Sequence, residues 1–519
     1  MIETDKLLPG LEATEAPPPK ASAVAAAPLA RIKPVVRNQM MMRPVDVEGL
    51  IEEDHPARAI WEFVGQLDLS SYEKPIEAVE GVAGRPVWDP RLLISLWVYA
   101  YSRGIGSARE ISRRLAYDPA FQWLAGLEVI NHHSLSDFRV AYDKELTELF
   151  THTLGVMSAA GLVSLERVMH DGSKVRAMAG ADSFRREETL RKHLEAARQQ
   201  VEAMGDPRTD ESARQRAARQ RAARERKERL ELALEELAKI RQTKSDLKDQ
   251  ESARVSLTDP TSRIMKEGSG GYGPNYNVQL STDAKNKIIV GAGVSQNSSD
   301  SGELMPAVER VEENLARTPE QLVSDGGFTN RQNIIETAAK GIDFIGSFPE
   351  HHEQSEGQLK RRGVAPEFYL PAFQYDAQQD CYRCPAGELL SHSGEENRPG
   401  VIHHQYRAGA SVCAQCRFKE QCCPQNASKG RSITRAEEAP QVQAFKQKMQ
   451  TEEAKASYRQ RGAVAEFPNA WIKEKLGLRR FHVRGLLKAK METLWVCLTY
   501  NIQQWIRLVW RARLAASAG

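Results

Sequence analysis

Apolar residues recur at helical spacing through the first third of the chain. Leu92, Leu93, Leu96, Trp97 and Ala100 follow Asp89-Pro90 and stop at Gly104-Ile105-Gly106. That pattern predicts a helix opened by Asp-Pro and ended by glycine. Ser107 and Glu110 then give the Ser-x-x-Glu spacing of a capping box, for a helix over 108–115. Asp118-Pro119 breaks it, and another helix starts at Phe121–Leu124. Ser134 and Asp137 repeat the cap pattern ahead of Leu135, Phe138, Tyr142, Leu146 and Phe150. Short helices joined by tight turns suit a helix-turn-helix DNA-binding domain over 40–160, with Arg109, Arg113 and Arg114 as a basic edge. A plain helical bundle with solvated arginines satisfies the same pattern equally well.

The periodicity changes near position 164. Val168-Met169-His170-Asp171-Gly172-Ser173-Lys174 reads as a buried strand ending on a carboxylate. His170, beside Asp171, falls on the opposite face. Residues 184–255 return to helical spacing: Leu190, Leu194, Ala197, Val201 and Met204 step as an a/d seam, and Gly205-Asp206-Pro207 ends it. A second, arginine-dense helix runs through Leu230, Leu234, Leu237 and Ile240. This predicts a helical hairpin inserted after the first strand. Beyond it come a β-hairpin over 276–295, a helix over 301–315, a strand before Asp325, a helix over 330–340 and a strand over 342–346. The expected architecture is mixed α/β with one central sheet. A polar, turn-rich, cysteine-rich insertion is expected over 350–440. Helices return over 441–510, and 511–519 forms a tail. Ala/Pro-rich residues 1–39 read as a disordered leader.

At 519 residues the chain is too long for one core. Its net charge of +3 gives no global basic field, so any phosphate binding must rest on local patches. Six of the seven cysteines lie between Cys381 and Cys423, which points to a metal in a reducing compartment rather than to a disulfide framework. No signal peptide is apparent, and the most apolar window, Leu92–Tyr101, is too short to cross a bilayer. A cytoplasmic, nucleoid-associated protein is expected.

Asp171 cannot hold a metal alone. Asp325, in Ser324-Asp325-Gly326-Gly327-Phe328, is a second strand-end carboxylate, and Glu466 lies on a predicted helix start beside Pro468. Three such groups around one sheet edge would hold Mg²⁺ or Mn²⁺, the hard cations used for phosphodiester cleavage. The glycine after each aspartate permits close approach. Tyr458, Arg461, Glu466 and Lys473 form a Tyr-x2-Arg-x4-Glu-x6-Lys string that sets cations for phosphate beside the carboxylate. Cys381-x2-Cys384 and Cys413-x2-Cys416, with Cys422 and Cys423 close behind, predict a structural Zn²⁺ site. Cys384, Cys413 and Cys416 are three ligands, and Cys422 or Cys381 is the fourth. Cys497 reads as core. His132-His133 and His403-His404 are adjacent pairs that cannot share a face, so they read as surface groups.

These residues carry a resemblance. Asp89-Pro90-Arg91-Leu92-Leu93, Gly106-Ser107-Ala108-Arg109-Glu110-Ile111, His133-Ser134-Leu135-Ser136-Asp137-Phe138-Arg139, Asp171-Gly172-Ser173-Lys174-Val175, Tyr276-Asn277-Val278-Gln279, Ser324-Asp325-Gly326-Gly327-Phe328 and Arg484-Gly485-Leu486 stand in order. The chain resembles the DDE transposases of bacterial insertion sequences, in particular the eleven-eighty-two family within the Tyr-Arg-Glu-Lys signature branch. That resemblance implies an RNase H-like catalytic domain over 161–349, completed by the helices over 441–510. It implies Asp171, Asp325 and Glu466 as the metal triad, and Tyr458, Arg461 and Lys473 as residues that handle DNA. It also favours Cys384, Cys413, Cys416 and Cys422 as the zinc tetrad of a ribbon-like insertion. Four residues separate Arg461 from Glu466, where that branch more often has three. The expected activity is binding of terminal inverted repeats, strand cleavage and joining of the 3′-OH to target DNA, by a homodimer on double-stranded DNA. The rival expectation is a catalytically silent, domesticated DNA-binding relative.

Overall fold

The computed structural model describes residues 40, 42, 44–76, 86–205, 212–268, 270–348, 351–424 and 429–517. The expected leader over 1–39 lies outside them, as does most of the turn expected at Gly205-Asp206-Pro207. The chain divides into two units, Met1–Val45 and Asp46–Gly519. Of the first, Met40, Met42 and Val45 are exposed.

In the second unit the central sheet contains six strands. They are β1 (Arg167–Arg176), β4 (Arg263–Lys266), β5 (Tyr272–Asp283), β6 (Ile289–Ser295), β7 (Gln321–Ser324) and β8 (Asp343–Gly346). β5 lies antiparallel between β1 and the β4/β6 edge. β7 runs parallel to β1, and β8 parallel to β7. Mixed α/β, as expected, is what forms. Between β1 and β4 the helices Glu187–Glu202 and Ala213–Gln242 make the inserted hairpin. Leu190, Leu194 and Ala197 pack on Leu230, Ala233 and Leu237, forming a small core of their own. Two short strands, β2 (Phe184–Arg185) and β3 (Val255–Ser256), pair antiparallel and close its root. The cysteine-rich insertion builds a second antiparallel sheet in simple meander order: β9 (Gln374–Asp376), β10 (Cys381–Arg383), β11 (Leu389–Arg398), β12 (Val401–Arg407) and β13 (Ser432–Glu438).

The N-terminal helices form where their caps predict. Asp89 accepts from the Arg91 amide (2.7 Å) at the head of Pro90–Ser102, and Asp118 from that of Ala120 (3.1 Å) at the head of Pro119–Leu124. Two expectations need correcting. Ser107 caps Ala108–Arg114, but Glu110 pairs with Arg113 and Arg114 rather than reaching back, because two guanidiniums outcompete one amide for it. The helix expected to start at Ser134 begins instead at His132, capped by Asn131, and the run to Phe150 breaks at Tyr142 into His132–Ala141 and Asp143–Ala159.

These helices share one continuous core with the sheet and with the C-terminal helix Leu486–Trp505. That helix is buried on nearly all sides, as a helix packed between layers must be. The Asn501 amide mimics a neighbouring strand, accepting from the Ile289 amide (2.9 Å) and donating to its carbonyl (2.8 Å) at the head of β6. At its other end Asp259, fully buried, accepts from Tyr276 and from the Gly485 amide, while Thr261 accepts from that of Leu486. The residues expected to be a tail, 511–517, continue as helix.

Glu492 ties the layers together. Its carboxylate is fully buried and accepts from Tyr101 (3.3 Å), from the His482 amide (2.9 Å) and from His482 Nδ1 (2.8 Å), with Arg139 3.8 Å away. Removing one member of a buried charged network leaves the others unpaired. Glu492→Ala is therefore expected to cost about 3–5 kcal/mol. Urea unfolding followed by tryptophan fluorescence measures it; a loss below about 1 kcal/mol would contradict this account.

Candidate active site at the end of the central sheet

Register brings the two aspartates together. Met169 of β1 pairs with Val323 of β7 in a parallel ladder. Two residues further along each strand, on the same face, come Asp171 and Asp325. Strands lie about 4.8 Å apart, so the two carboxylates leave the sheet as neighbours. On that face Met169, Val323 and Ile345 are covered by Ala454, Val464 and Ala465, with Tyr458 packed against them. This small apolar cluster docks the chain segment that carries Glu466 directly beneath the aspartates.

That segment is not the plain helix the pattern predicts. Helix Glu452–Arg459 leads into a π-turn over Gly462–Glu466, and helix Phe467–Glu474 follows, with Pro468 in its first turn. A π-turn closes i→i+5 and brings Arg461 and Glu466, five apart, onto one side. Arg461 Nη2 stands 3.4 Å from Glu466 Oε1, and its Nη1 3.8 Å from Asp171 Oδ1. The guanidinium thus lies between two of the three carboxylates. The carboxylate oxygens of Asp171, Asp325 and Glu466 do not all lie within 4.8 Å of one another. Glu474 and Glu492, the other glutamates near this stretch, are used elsewhere, pairing with Arg479 and within the buried network.

Burial pushes the Asp171 carboxyl up to about 6. Arg461 opposes this, and the Asp325 and Glu466 carboxylates add to it. Asp171 therefore senses both other acids at this edge. Desolvation draws the Lys473 ammonium down, against the pull of Asp171, and Lys473 donates to Ser173, which shares the Asp171 face. Glu466 is largely exposed and Asp325 half-buried, accepting from the Gly327 amide at 2.8 Å.

Two residues at this edge have no place in the expected site. Asn469 is buried and donates to Asp171 Oδ2 at 3.1 Å. It stands three residues after Glu466, one helical turn on, a spacing that could have marked it. Asp300, in the loop after β6, accepts from Asn277 (2.6 Å), Gln279 (2.9 Å) and Lys174 (3.3 Å). A Cβ on Gly172 would lie 2.6 Å from the Gln279 side-chain nitrogen and 2.7 Å from the Asp300 carboxylate oxygen, so the glycine after Asp171 leaves room for both side chains. No local sequence signal marked Asp300. His170 faces away from the site, as expected, bonded to Ser281 and Gln279 with Phe328 edge-on to its ring.

The other candidate residues lie elsewhere. Arg109 and Arg113 are exposed on helix Ala108–Arg114, and Arg113 pairs with Glu110. Cys384, Cys413, Cys416, Cys422 and Cys423 line one cavity of about 30 Å³ under the second sheet. The amides of Phe418 and Arg431 point at Cys416 Sγ (3.4 Å) and Cys413 Sγ (3.3 Å). Burial pushes the Cys422 thiol up to about 11. Cys381 does not line this cavity. Its thiol turns toward Gln379, 3.9 Å away. Cys497 is fully buried in the C-terminal helix. Among the described residues no helix is long and apolar enough to cross a membrane.

Two family models match the chain. Residues 383–506 match the transposase DDE domain, and residues 45–141 match the transposase domain DUF772. The chain thus carries transposase domains of the kind typical of bacterial insertion-sequence transposases. No curated protein matches it. Among solved structures it is similar to the cryo-EM structure of a piggyBac transposase synaptic complex with hairpin DNA. That likeness is 9% identical, covers 88% of this chain and 81% of that one, and has a TM-score of 0.25, too loose to superpose the folds.

The raised Asp171 carboxyl gives a stability prediction. Its folded value of about 6 lies above the ordinary 3.8. Ionising it therefore opposes folding; that cost is complete above pH 6 and fades as pH falls toward 4. In chelator-treated protein Asp171→Asn should be more stable than the native chain at pH 8, by up to about 2 kcal/mol. The gap should fall to about a third of that by pH 4.5, read as the difference in melting temperature across that range. A pH-independent difference would mean the shift is absent.

Proposed function

We propose that this protein is the transposase of an insertion sequence, which binds the terminal inverted repeats, cleaves at the ends and joins the freed 3′-OH to target DNA. The observation that carries this reading is the parallel β1–β7 register, which sets Asp171 beside Asp325 with Glu466 docked on the same face. An RNase H-like core is supported by the strand order, three antiparallel strands (β6, β5, β1) followed by two parallel ones (β7, β8). The donor set is all carboxylate oxygen, which fits Mg²⁺ or Mn²⁺ and not a soft ion. Asp171, Asp325 and Glu466 would hold it, and it would activate the attacking water and stabilise the leaving oxygen.

The chain's own residues then divide the work. Asn469 orients Asp171. Arg461 and Lys473 are the cations for the phosphate oxygens that arrive at this edge, and Tyr458 fixes the helix that carries them. In cleavage, water oxygen bonds to phosphorus as the P–O3′ bond breaks, leaving a 3′-OH. In joining, that hydroxyl attacks a target phosphate and a target strand is released. Arg109 and Arg113, with the exposed Arg214, Arg221, Arg224 and Arg226 of the inserted hairpin, offer sequence-independent contacts to the duplex. Two ends must be held at once, so a homodimer is the functional form, with the hairpin a candidate pairing surface. Cys384, Cys413, Cys416 and Cys422 would hold a structural Zn²⁺ in the inserted domain, which the inward-pointing amides at two sulfurs support.

On DNA carrying the flanking inverted repeats, with Mg²⁺, Asp325→Ala is expected to abolish strand cleavage while end binding persists. Binding without cleavage by the native chain, under Mg²⁺ and Mn²⁺ alike, would instead identify a silent DNA-binding relative. Asn469→Ala should slow cleavage about 10–100-fold, the usual effect of losing a partner of a metal-holding group. Its melting temperature should barely move, and an unchanged cleavage rate would remove Asn469 from the site.

A further inference from the structure

Far from the acidic edge, the second sheet gathers two imidazoles and a carboxylate. His392, Glu395 and His404 bring one ligand atom each within 4.8 Å of the others. We propose that they form a metal site for a divalent ion of the Zn²⁺ class, separate from both the carboxylate triad and the cysteine cavity. The proposal does not depend on the chain cutting DNA.

The strand geometry is arranged for it. In a regular strand, positions 392 and 395 face opposite sides of the sheet. Here β11 carries an extra residue: His392 pairs with Tyr406 but Gly394 with Gln405, so Ser393 is bulged out. The bulge re-phases the strand, and His392 and Glu395 emerge on one face. Glu395 then stands directly opposite His404 on β12. Without the bulge the three groups could not meet.

The hydrogen bonds of His404 are the second observation. Its Nε2 lies 3.0 Å from Glu437 Oε2 on β13, and its Nδ1 3.0 Å from Glu395 Oε1. A neutral imidazole carries one N–H and can donate to only one of these carboxylates. Glu437 also pairs with Arg435, 3.5 Å away, and when His404 donates to it from Nε2 the Nδ1 is left as a lone pair. The Nδ1 lone pair then confronts the Glu395 carboxylate, an arrangement that calls for a cation between them. A carboxylate holding the outer nitrogen of a histidine while its inner nitrogen faces the ion is how metal-bound imidazoles are oriented. His392 Nε2 lies 3.7 Å from the same Glu395 oxygen. Ligand atoms on a tetrahedral Zn²⁺ lie roughly 3.4 Å apart, so spacings of 3.0 and 3.7 Å need little adjustment. Two nitrogens and one oxygen select Zn²⁺, Co²⁺ or Ni²⁺ over Mg²⁺. Three protein ligands leave a fourth position open to solvent.

The test is Co²⁺ titration of the full, tag-free, metal-stripped chain under reducing conditions. Total uptake is read alongside the thiolate-to-cobalt absorption band. His392→Ala and, separately, Glu395→Gln are suited to it because both side chains are substantially exposed (32% and 49%). The native chain should take up one more equivalent than either variant, with the thiolate band the same in all three. Equal uptake by the native chain and both variants would overturn the proposal and leave His404 as a bridge between two glutamates. Loss of the thiolate band together with the extra equivalent, in both variants, would assign the ion to the cysteine cavity and overturn it equally.

Discussion

The whole site rests on one pairing, the parallel ladder between β1 and β7. It pairs Met169 with Val323, and two residues beyond each comes an aspartate, Asp171 and Asp325, on the same face. Ionised carboxylates on neighbouring strands repel one another. A chain does not place them so without compensation. Part comes from Arg461 and Asn469, which meet Asp171 directly, and part from keeping Asp171 protonated to a higher pH. The remainder falls on the apolar contacts that hold the segment in place, Met169, Val323 and Ile345 against Ala454, Val464 and Ala465. The acidic edge and the small core beneath it are one construction.

The same logic explains why the N-terminal helices and the C-terminal helix cannot be considered apart. Helix Leu486–Trp505 has almost no solvated face, so the N-terminal helices and the sheet must both be present to cover it. Its polar residues are each answered from a different layer: Glu492 by Tyr101 and His482, Asn501 by the backbone of β6, and the Trp495 indole by the Arg139 carbonyl. Buried polar groups need partners, and these partners come from segments up to 391 residues away.

Much of this was legible in the sequence because it is local. The Asp-Pro helix starts, the helical hairpin, the β-hairpin and the strand ending before Asp325 all announce themselves within about ten residues, whereas the strand expected to end on Asp171 runs on to Arg176 because β5 continues to pair with it. Asp171 and Asp325 could be named because each sits where an apolar run ends in Asp-Gly. What was not legible depends on distant partners. The start at His132 rather than Ser134 follows from Asn131 being free to cap, while Glu110 gave up its capping role because Arg113 and Arg114 face it. Asp300 lies in a stretch of serines and asparagines that reads as a plain loop; only the fold brings it against Gly172. Cys381 has the right spacing to Cys384 for a zinc knuckle, yet it does not line the cavity that Cys384 shares with Cys413, Cys416, Cys422 and Cys423.

The spacing of Arg461 and Glu466 is the sharpest case. In an α-helix, residues five apart are separated by about 140° around the axis, so an intervening run of four residues would turn the guanidinium away from the carboxylate. Read as α-helix, the sequence loses either Arg461 or Glu466 from the site. The π-turn over Gly462–Glu466 absorbs the additional residue and returns both side chains to one face. Gly462 and Ala463 supply little side-chain bulk there, and Pro468, which has no amide to donate, cannot extend the regular ladder back across the turn. The π-turn thereby sets the approach of Arg461 to both Asp171 and Glu466, at 3.8 and 3.4 Å.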